Sequence, residues 1–194
     1  MEFQAFPKMA RWSREIIVTE KIDGTNAQVY IGEDGEILAG SRTRWITPDD
    51  DNFGFAAWVR DHTEELRRLG PGRHFGEWWG RGIQRNYGLD HRRFSLFNAV
   101  RWCGNEAVPG IIPSGDPRIV KSQQNVPACC DVVPVLWRGN MDDFDDELVM
   151  LRLAGEGSSA EVGFMKPEGI VIYHIAAGVG FKKTFEKDAS GKGE

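Results

Sequence analysis

The apolar run Ile16-Ile17-Val18 leads directly into Glu-Lys-Ile-Asp-Gly-Thr-Asn at residues 20–26, so a buried strand ends in a glycine-containing turn with a lysine at the joint. Beyond the turn the chain keeps a β-type rhythm. Ala27-Gln28-Val29-Tyr30-Ile31 and Glu36-Ile37-Leu38-Ala39 flank Glu33-Asp34-Gly35, which predicts a hairpin. Further strands are expected at Arg73–Trp78, Phe94–Trp102, Val132–Trp137, Gly169–Ile175 and Val179–Phe185. Phe55, Val59 and Leu66, with charges between them, predict an amphipathic helix over Phe53–Leu69 that stops at Gly70-Pro71-Gly72. A second helix is expected over Phe144–Ala154. Residues 80–88 are too rich in glycine for a helix, and residues 104–128, with four prolines, read as a surface excursion.

Lys21 is the candidate nucleophile. An amine attacks only when neutral, and at a reference pKa near ~10.4 roughly one lysine in a few thousand is neutral at pH 7. A site that uses Lys21 must therefore activate it by burial, a nearby cation or a metal. Asp23 could bind a ribose or an ordered water, Gly24 lets a phosphate approach the backbone, and Thr25 and Asn26 offer uncharged donors. The plain alternative is a strand-end lysine beside an ordinary Asp-Gly turn.

Length and composition fit one compact domain. The chain has 194 residues, 41% hydrophobic and 27% charged, enough to bury a sizeable core. No apolar run approaches the ~20 residues of a membrane-spanning helix and there is no signal-peptide core, so a cytoplasmic protein without membrane partners is expected. Cys103, Cys129 and Cys130 are odd in number and lack a Cys-x-x-Cys spacing, which suits reduced structural thiols. His62, His74, His91 and His174 show no metal-binding spacing.

The net charge of −5 argues mildly against a nucleic-acid protein. Its distribution matters more. Acidic residues gather at Asp49-Asp50-Asp51 and Asp142–Glu147, the second run reading as the solvated start of a helix, whereas Arg81, Arg85, Arg92, Arg93 and Arg101 form a basic middle. The Gly80–Gly88 loop, through Arg81 and Arg85, is the candidate holder of nucleic-acid phosphates.

The Lys21-Ile22-Asp23-Gly24 segment resembles the signature of the covalent nucleotidyltransferases, the DNA ligases, RNA ligases and mRNA capping enzymes. Ser41-Arg42, Phe75-Gly76-Glu77, Phe94-Ser95-Leu96-Phe97, Glu168-Gly169-Ile170-Val171 and Phe181-Lys182-Lys183 follow in that family's order. The form Glu-Lys-Ile-Asp-Gly-Thr-Asn looks most like the RNA ligase 2 and RNA-editing ligase branch. The resemblance implies an α+β nucleotidyltransferase (adenylation) domain over residues 1–187, with antiparallel sheets flanked by helices and a polar tail at 188–194. It also leads us to expect neither an OB-fold nor a C-terminal helical domain.

The resemblance further implies an ATP-dependent RNA ligase using Mg²⁺ (or Mn²⁺). Lys21 would take AMP from ATP, pass it to an RNA 5′-phosphate, and let a 3′-hydroxyl seal the strand. Glu20, Lys21, Ile22, Asn26, Arg42, Glu77, Phe97, Glu168, Lys182 and Lys183 would bind the nucleotide. Among them Phe97 would stack on the purine, Glu77 would contact the ribose, and Glu168, with Glu77, would hold the metal. Asp23, Glu168, Lys182 and Lys183 would join Lys21 in catalysis, and Asn26 would assist the later steps. Asn98 stands where the family often has Asp, and Lys182 and Lys183 are adjacent where the family commonly has Lys-x-Lys. On a strand those two lysines point to opposite faces. The expected substrate is RNA with 5′-phosphate and 3′-hydroxyl ends, with an accessory protein as a further partner. The alternatives are a DNA ligase, a capping-type guanylyltransferase, or a nucleotide- or RNA-binding module without chemistry.

Overall fold

The computed structural model describes residues 1–103 and 126–186. Most of the proline-bearing excursion, residues 104–125, and the polar tail lie outside the described residues. In chain order the elements are β1 (Glu15–Lys21), β2 (Thr25–Ile31), β3 (Ile37–Gly40), β4 (Trp45–Ile46), α1 (Phe55–Asp61), α2 (Thr63–Leu66), β5 (Gly72–Gly80), β6 (Arg92–Leu96), α3 (Ala99–Trp102), β7 (Asp131–Val132), β8 (Val135–Asn140), α4 (Asp146–Glu156), β9 (Gly169–His174) and β10 (Val179–Thr184).

The strands form two sheets, ordered β10-β9-β1-β8 and β4-β3-β2-β5-β6-β7. Every pairing is antiparallel except β6 with β7. β1 is buried on both faces, which is why its sequence is a continuous apolar run rather than an alternation. Ile16 and Val18 pack with Leu136, Val149, Leu153 and Ile170 beneath α4, while Ile17 belongs to the larger core under the second sheet. There Val29, Ile31, Trp78 and Phe94 pack against Phe55 and Val59 of α1 and Leu66 of α2. Residues 21–24 carry the chain from the first sheet to the second. Gly24 is required at this crossing: a Cβ there would lie 2.5 Å from the Trp78 carbonyl oxygen and 2.7 Å from Trp79 Cβ.

The expected helix over Phe53–Leu69 is broken at His62, whose φ of −112° lies outside the helical region. The Thr63 hydroxyl donates back to the Val59 carbonyl at 3.1 Å, and His62 Nδ1 lies 2.8 Å from the Trp58 carbonyl. Side chains that bond to the preceding turn bend or interrupt a helix. The strand expected over Phe94–Trp102 ends at Leu96. Asn98 then caps α3, its side chain accepting from the Arg101 amide at 3.0 Å. Of the acidic run at 142–147, Asp142 and Asp143 lie in a short 3-10 turn, Met141–Asp143, and only the remainder starts α4: Asp145 accepts from the Leu148 amide at 2.9 Å, and Asp146 and Glu147 occupy the first turn. Among the described residues no group of three or more His, Cys, Asp or Glu side chains gathers as a metal site, and no helix is long and apolar enough to cross a membrane. Cys103, Cys129 and Cys130 form no disulfide.

Candidate active site

Alternation along the strands builds a cavity of about 610 Å³ between the two sheets. From β1 it takes Ile17, Thr19 and Lys21, and from β9 Val171 and Tyr173. The opposite wall supplies Asn26 of β2, Phe75 and Glu77 of β5, and Phe97 just beyond β6. The register explains the meeting of distant residues. Lys21 pairs with Gly169 and Asn26 with Glu77. Glu168 therefore stands beside the lysine, and Lys21 Nζ lies 2.5 Å from Glu168 Oε2. Gly169 lets β10 close against the start of β9, because at its φ of +152° a Cβ would be 2.1 Å from the Lys183 carbonyl oxygen.

Glu77 is 7% exposed and its two oxygens are taken up separately. Oε1 accepts from the Gly24 amide at 3.0 Å and Oε2 from Asn26 Nδ2 at 3.2 Å. Burial pushes its carboxyl up to about 7 from the ordinary 4.5, against the opposing pull of the Lys21 charge. The Lys21–Gly24 turn and Glu77 are thus joined by a direct hydrogen bond through the Gly24 amide.

Cross-strand partners share a face, and Lys182 pairs with Val171 whereas Lys183 pairs with Ile170. Lys182 accordingly belongs to the cavity face. Lys183 lies on the α4 face, where its Nζ is 2.5 Å from Asp146 Oδ2. The same alternation separates Glu20 from Lys21. The Glu20 carboxylate is only 1% exposed and accepts from Ser158 Oγ at 2.6 Å, the Ser159 amide at 2.7 Å and the Ala160 amide at 2.9 Å. Burial raises its pKa and these three donors oppose the rise. What Glu20 offers the cavity is its backbone, while its side chain anchors the 158–161 loop. Ile22 is buried and lines the cavity.

Asp23 faces a different partner. Its carboxylate accepts from Arg85 Nε at 2.9 Å, and its amide donates to Tyr87 Oη at 2.9 Å. Arg85 also donates to the Lys166 carbonyl at 3.2 Å and to Glu186 Oε1 at 2.7 Å. One guanidinium therefore ties the Lys21 turn to the approach to Glu168 and to the end of β10. Arg85 is engaged inside the site's support, while Arg81 is exposed, with Nη1 3.4 Å from the Asp90 carbonyl. Arg42 is exposed in the β3–β4 turn, apart from the cavity lining. Sequence reasoning passed over Thr19, Phe75, Tyr173 and Arg73, all of which line the cavity. Stepping by two from Lys21 or Glu77 reaches Thr19, Phe75 and Arg73. Tyr87 and Ser158 carried no such signal, since they act from loops.

The sequence matches the RNA ligase family over residues 14–187. No curated protein matches it. Among solved structures, a variant of the Naegleria gruberi RNA ligase with ATP and Mn aligns with a TM-score of 0.60 at 21% identity, covering 90% of this chain and 51% of that one. The same organism's ligase with PPi aligns with a TM-score of 0.57 at 22% identity, covering 89% of this chain and 50% of that one. A further variant, with AMP and Mn, gives a TM-score of 0.58 at 22% identity over 89% of this chain and 50% of that one. The described chain thus spans about half the length of these relatives and shares the fold of the part it covers.

Proposed function

The chain belongs to the RNA ligase family, and from that premise we propose that it is an ATP-dependent RNA ligase with Lys21 as its nucleophile. The observation that carries the proposal is the pairing of Lys21 Nζ with Glu168 Oε2 at 2.5 Å, on a lysine that lines a cavity of about 610 Å³ between the sheets. Lys21 Nζ attacks the α-phosphorus of ATP, forming a P–N bond as the bond to pyrophosphate breaks. The proton it sheds leaves by way of Glu168, its nearest acceptor. Phe97 supports the purine by stacking, Glu77 receives a ribose hydroxyl, and Lys182 faces the phosphates and offsets their charge. Lys183 contributes from the other face by holding α4 against β10.

The donor set suits a hard divalent cation. With fewer than three clustered carboxylate, His or Cys ligands among the described residues, such an ion would be held by Glu168, waters and the nucleotide's own phosphates, the habit of Mg²⁺ and its substitute Mn²⁺. When bound it neutralises charge on the triphosphate. Glu77, already committed to Gly24 and Asn26, is the lesser ligand. Asp23 acts through Arg85 by fixing the turn. In the later steps AMP passes to a 5′-phosphate of RNA, and a 3′-hydroxyl attacks to seal the strand and release AMP. Asn26, beside Glu77 at the cavity wall, assists there, and the exposed Arg81 and Arg42 meet RNA phosphates. We place the enzyme in the cytoplasm, acting on RNA ends alone or with an accessory protein that adds contacts.

Intact-protein mass spectrometry tests this reading. Incubation with ATP and Mg²⁺ or Mn²⁺ should add one AMP to the wild type and none to Lys21→Ala. GTP in place of ATP separates a capping-type enzyme. No adduct from either nucleotide, on protein shown not to be already adenylated, would favour a binding module instead.

A further inference from the structure

The wall of the cavity formed by the second sheet continues outward beyond the nucleotide site. Along β2 and β5 the register sets Asn26 opposite Glu77, Gln28 opposite Phe75 and Tyr30 opposite Arg73. At the sheet edge Gly40 lies between Gln28 and Trp45. All of these share one face, because Ala27, Val29 and Ile31 turn the other way into the core. The outer stretch is aromatic yet wet: Trp45 is 43% exposed and Phe75 52%. The Arg73 guanidinium lies 5.3 Å from the Tyr30 ring centre and 5.2 Å from that of Trp45, and its Nη1 donates to Gln28 Oε1 at 3.1 Å. The Tyr30 and Trp45 rings are 6.1 Å apart at 56°. Burial in the core explains none of this exposed ring surface, and a solvated sheet face is ordinarily polar.

We propose that this face is a docking platform for unpaired RNA, with Trp45 and Tyr30 as stacking surfaces for bases and Arg73 as the fixed cation between them. The proposal rests on the RNA-ligase reading above, since it places the platform beside the end to be joined. Three observations carry it. The platform is continuous with the cavity, because Phe75 and Arg73 belong to both. Exposed aromatics on a sheet face are a means by which proteins hold single-stranded RNA. The charge balance also favours stacking over phosphate neutralisation. The chain carries a net −5, and Arg44 at this edge is taken by Asp50 at 2.5 and 2.9 Å. Because the salt slope scales with the number of phosphates neutralised, affinity that depends on rings rather than counterion release falls only gently with salt.

The test measures binding of a short unstructured 5′-phosphorylated oligoribonucleotide by fluorescence anisotropy. Wild type, Trp45→Ala and Trp45→Phe are compared at low and high salt, with lysyl-AMP formation and sedimentation followed on the same preparations. Trp45→Ala should bind about tenfold more weakly, the loss of one base stack, while Trp45→Phe keeps most of the affinity. Lysyl-AMP formation should be equal in all three, since Trp45 lies outside the cavity, and the wild-type salt slope should be shallow. Equal RNA affinity in Trp45→Ala, no RNA binding by the wild type, or a dimer that Trp45→Ala dissociates would overturn the platform. Absence of lysyl-AMP with RNA affinity still dependent on Trp45 would instead overturn the catalytic reading alone.

Discussion

Replacing Glu77 by Gln should make the protein more stable at alkaline pH while weakening its hold on the nucleotide. Burial lifts the Glu77 carboxyl to about 7 from 4.5. Those two and a half decades of proton affinity, at 1.36 kcal/mol per decade, amount to about 3 kcal/mol. The sign follows from linkage. The folded state holds the proton more tightly than the unfolded one, so the stabilisation is fully present below pH 4.5 and is lost as pH rises through 7. A Gln side chain keeps an acceptor for the Gly24 amide and never titrates. Urea unfolding of wild type and Glu77→Gln, without nucleotide, at steps from pH 5 to pH 8 should give a difference curve that climbs by about 2–3 kcal/mol in favour of the variant. Subtracting the two curves removes every contribution common to both proteins. Lys21 pulls the Glu77 carboxyl downward, so in a Lys21→Ala background the climb should move to higher pH. A flat difference curve between pH 5 and pH 8 would refute the claim that burial holds the Glu77 carboxyl in a desolvated state. A gain in stability joined to a loss of nucleotide affinity is the trade expected where a binding site retains an unfavourably buried charge.

Two further outcomes concern the groups that support the site. Arg85→Ala severs the links to Asp23, the Lys166 carbonyl and Glu186. Single-turnover lysyl-AMP formation should then slow by about 10- to 100-fold through misplacement of the nucleophile, with the ATP dissociation constant little changed. Arg85→Lys, which keeps the charge but not the forked geometry, should recover only part of the rate. Glu20→Ala strands the Ser158 hydroxyl and the Ser159 amide, while the Ala160 amide keeps Ser158 Oγ at 3.1 Å. Urea denaturation should show a loss of about 3 kcal/mol, at roughly 1–3 kcal/mol per unsatisfied buried group.

The elements with strong local signals were legible in the sequence. β1, the β2–β3 hairpin, α4, β9 and β10 lie where apolar period, turn residues and caps put them, with boundaries shifted by a residue or two. Where side chains bond to the backbone, the pattern misled. Phe53–Leu69 has the right apolar spacing for one helix, but Thr63 and His62 compete for its carbonyls. At Asn98 an amide that caps α3 stops a run of otherwise strand-like residues. The antiparallel expectation missed the β6–β7 pairing because a two-residue strand leaves almost no periodicity to read. In the site, Lys21, Glu77, Glu168 and Phe97 were marked by the resemblance of their motifs to those of the ligase family. The employment of Arg85 was not, because it depends on three chain segments that lie up to 101 residues from it. No local pattern encodes such a meeting.

The adjacency of Glu20 and Lys21 also bears on how the strand chooses its register. A slip of one residue in β1 would exchange every side chain between the cavity and the α4 face. Ile16, Ile17 and Val18 cannot resist it, since apolar residues suit either side of a strand buried on both. Glu20 can. In the observed register its carboxylate meets Ser158 and two backbone amides, and the slipped register would put the Lys21 ammonium among those donors, where it has nothing to accept and no partner for its charge. The same slip would carry Glu20 into the cavity beside Glu77 and Glu168, adding a third carboxylate to a region that already raises the Glu77 pKa. The irregular pairing of β1 with β8 between Val18 and Thr19 gives the strand local freedom in its hydrogen bonding just before this point. A buried acid that touches no part of the proposed chemistry therefore fixes which face receives the nucleophile, and Glu20→Gln, which can still accept one bond but presents two donors to a ring of donors, should loosen that choice more than its small change in volume suggests.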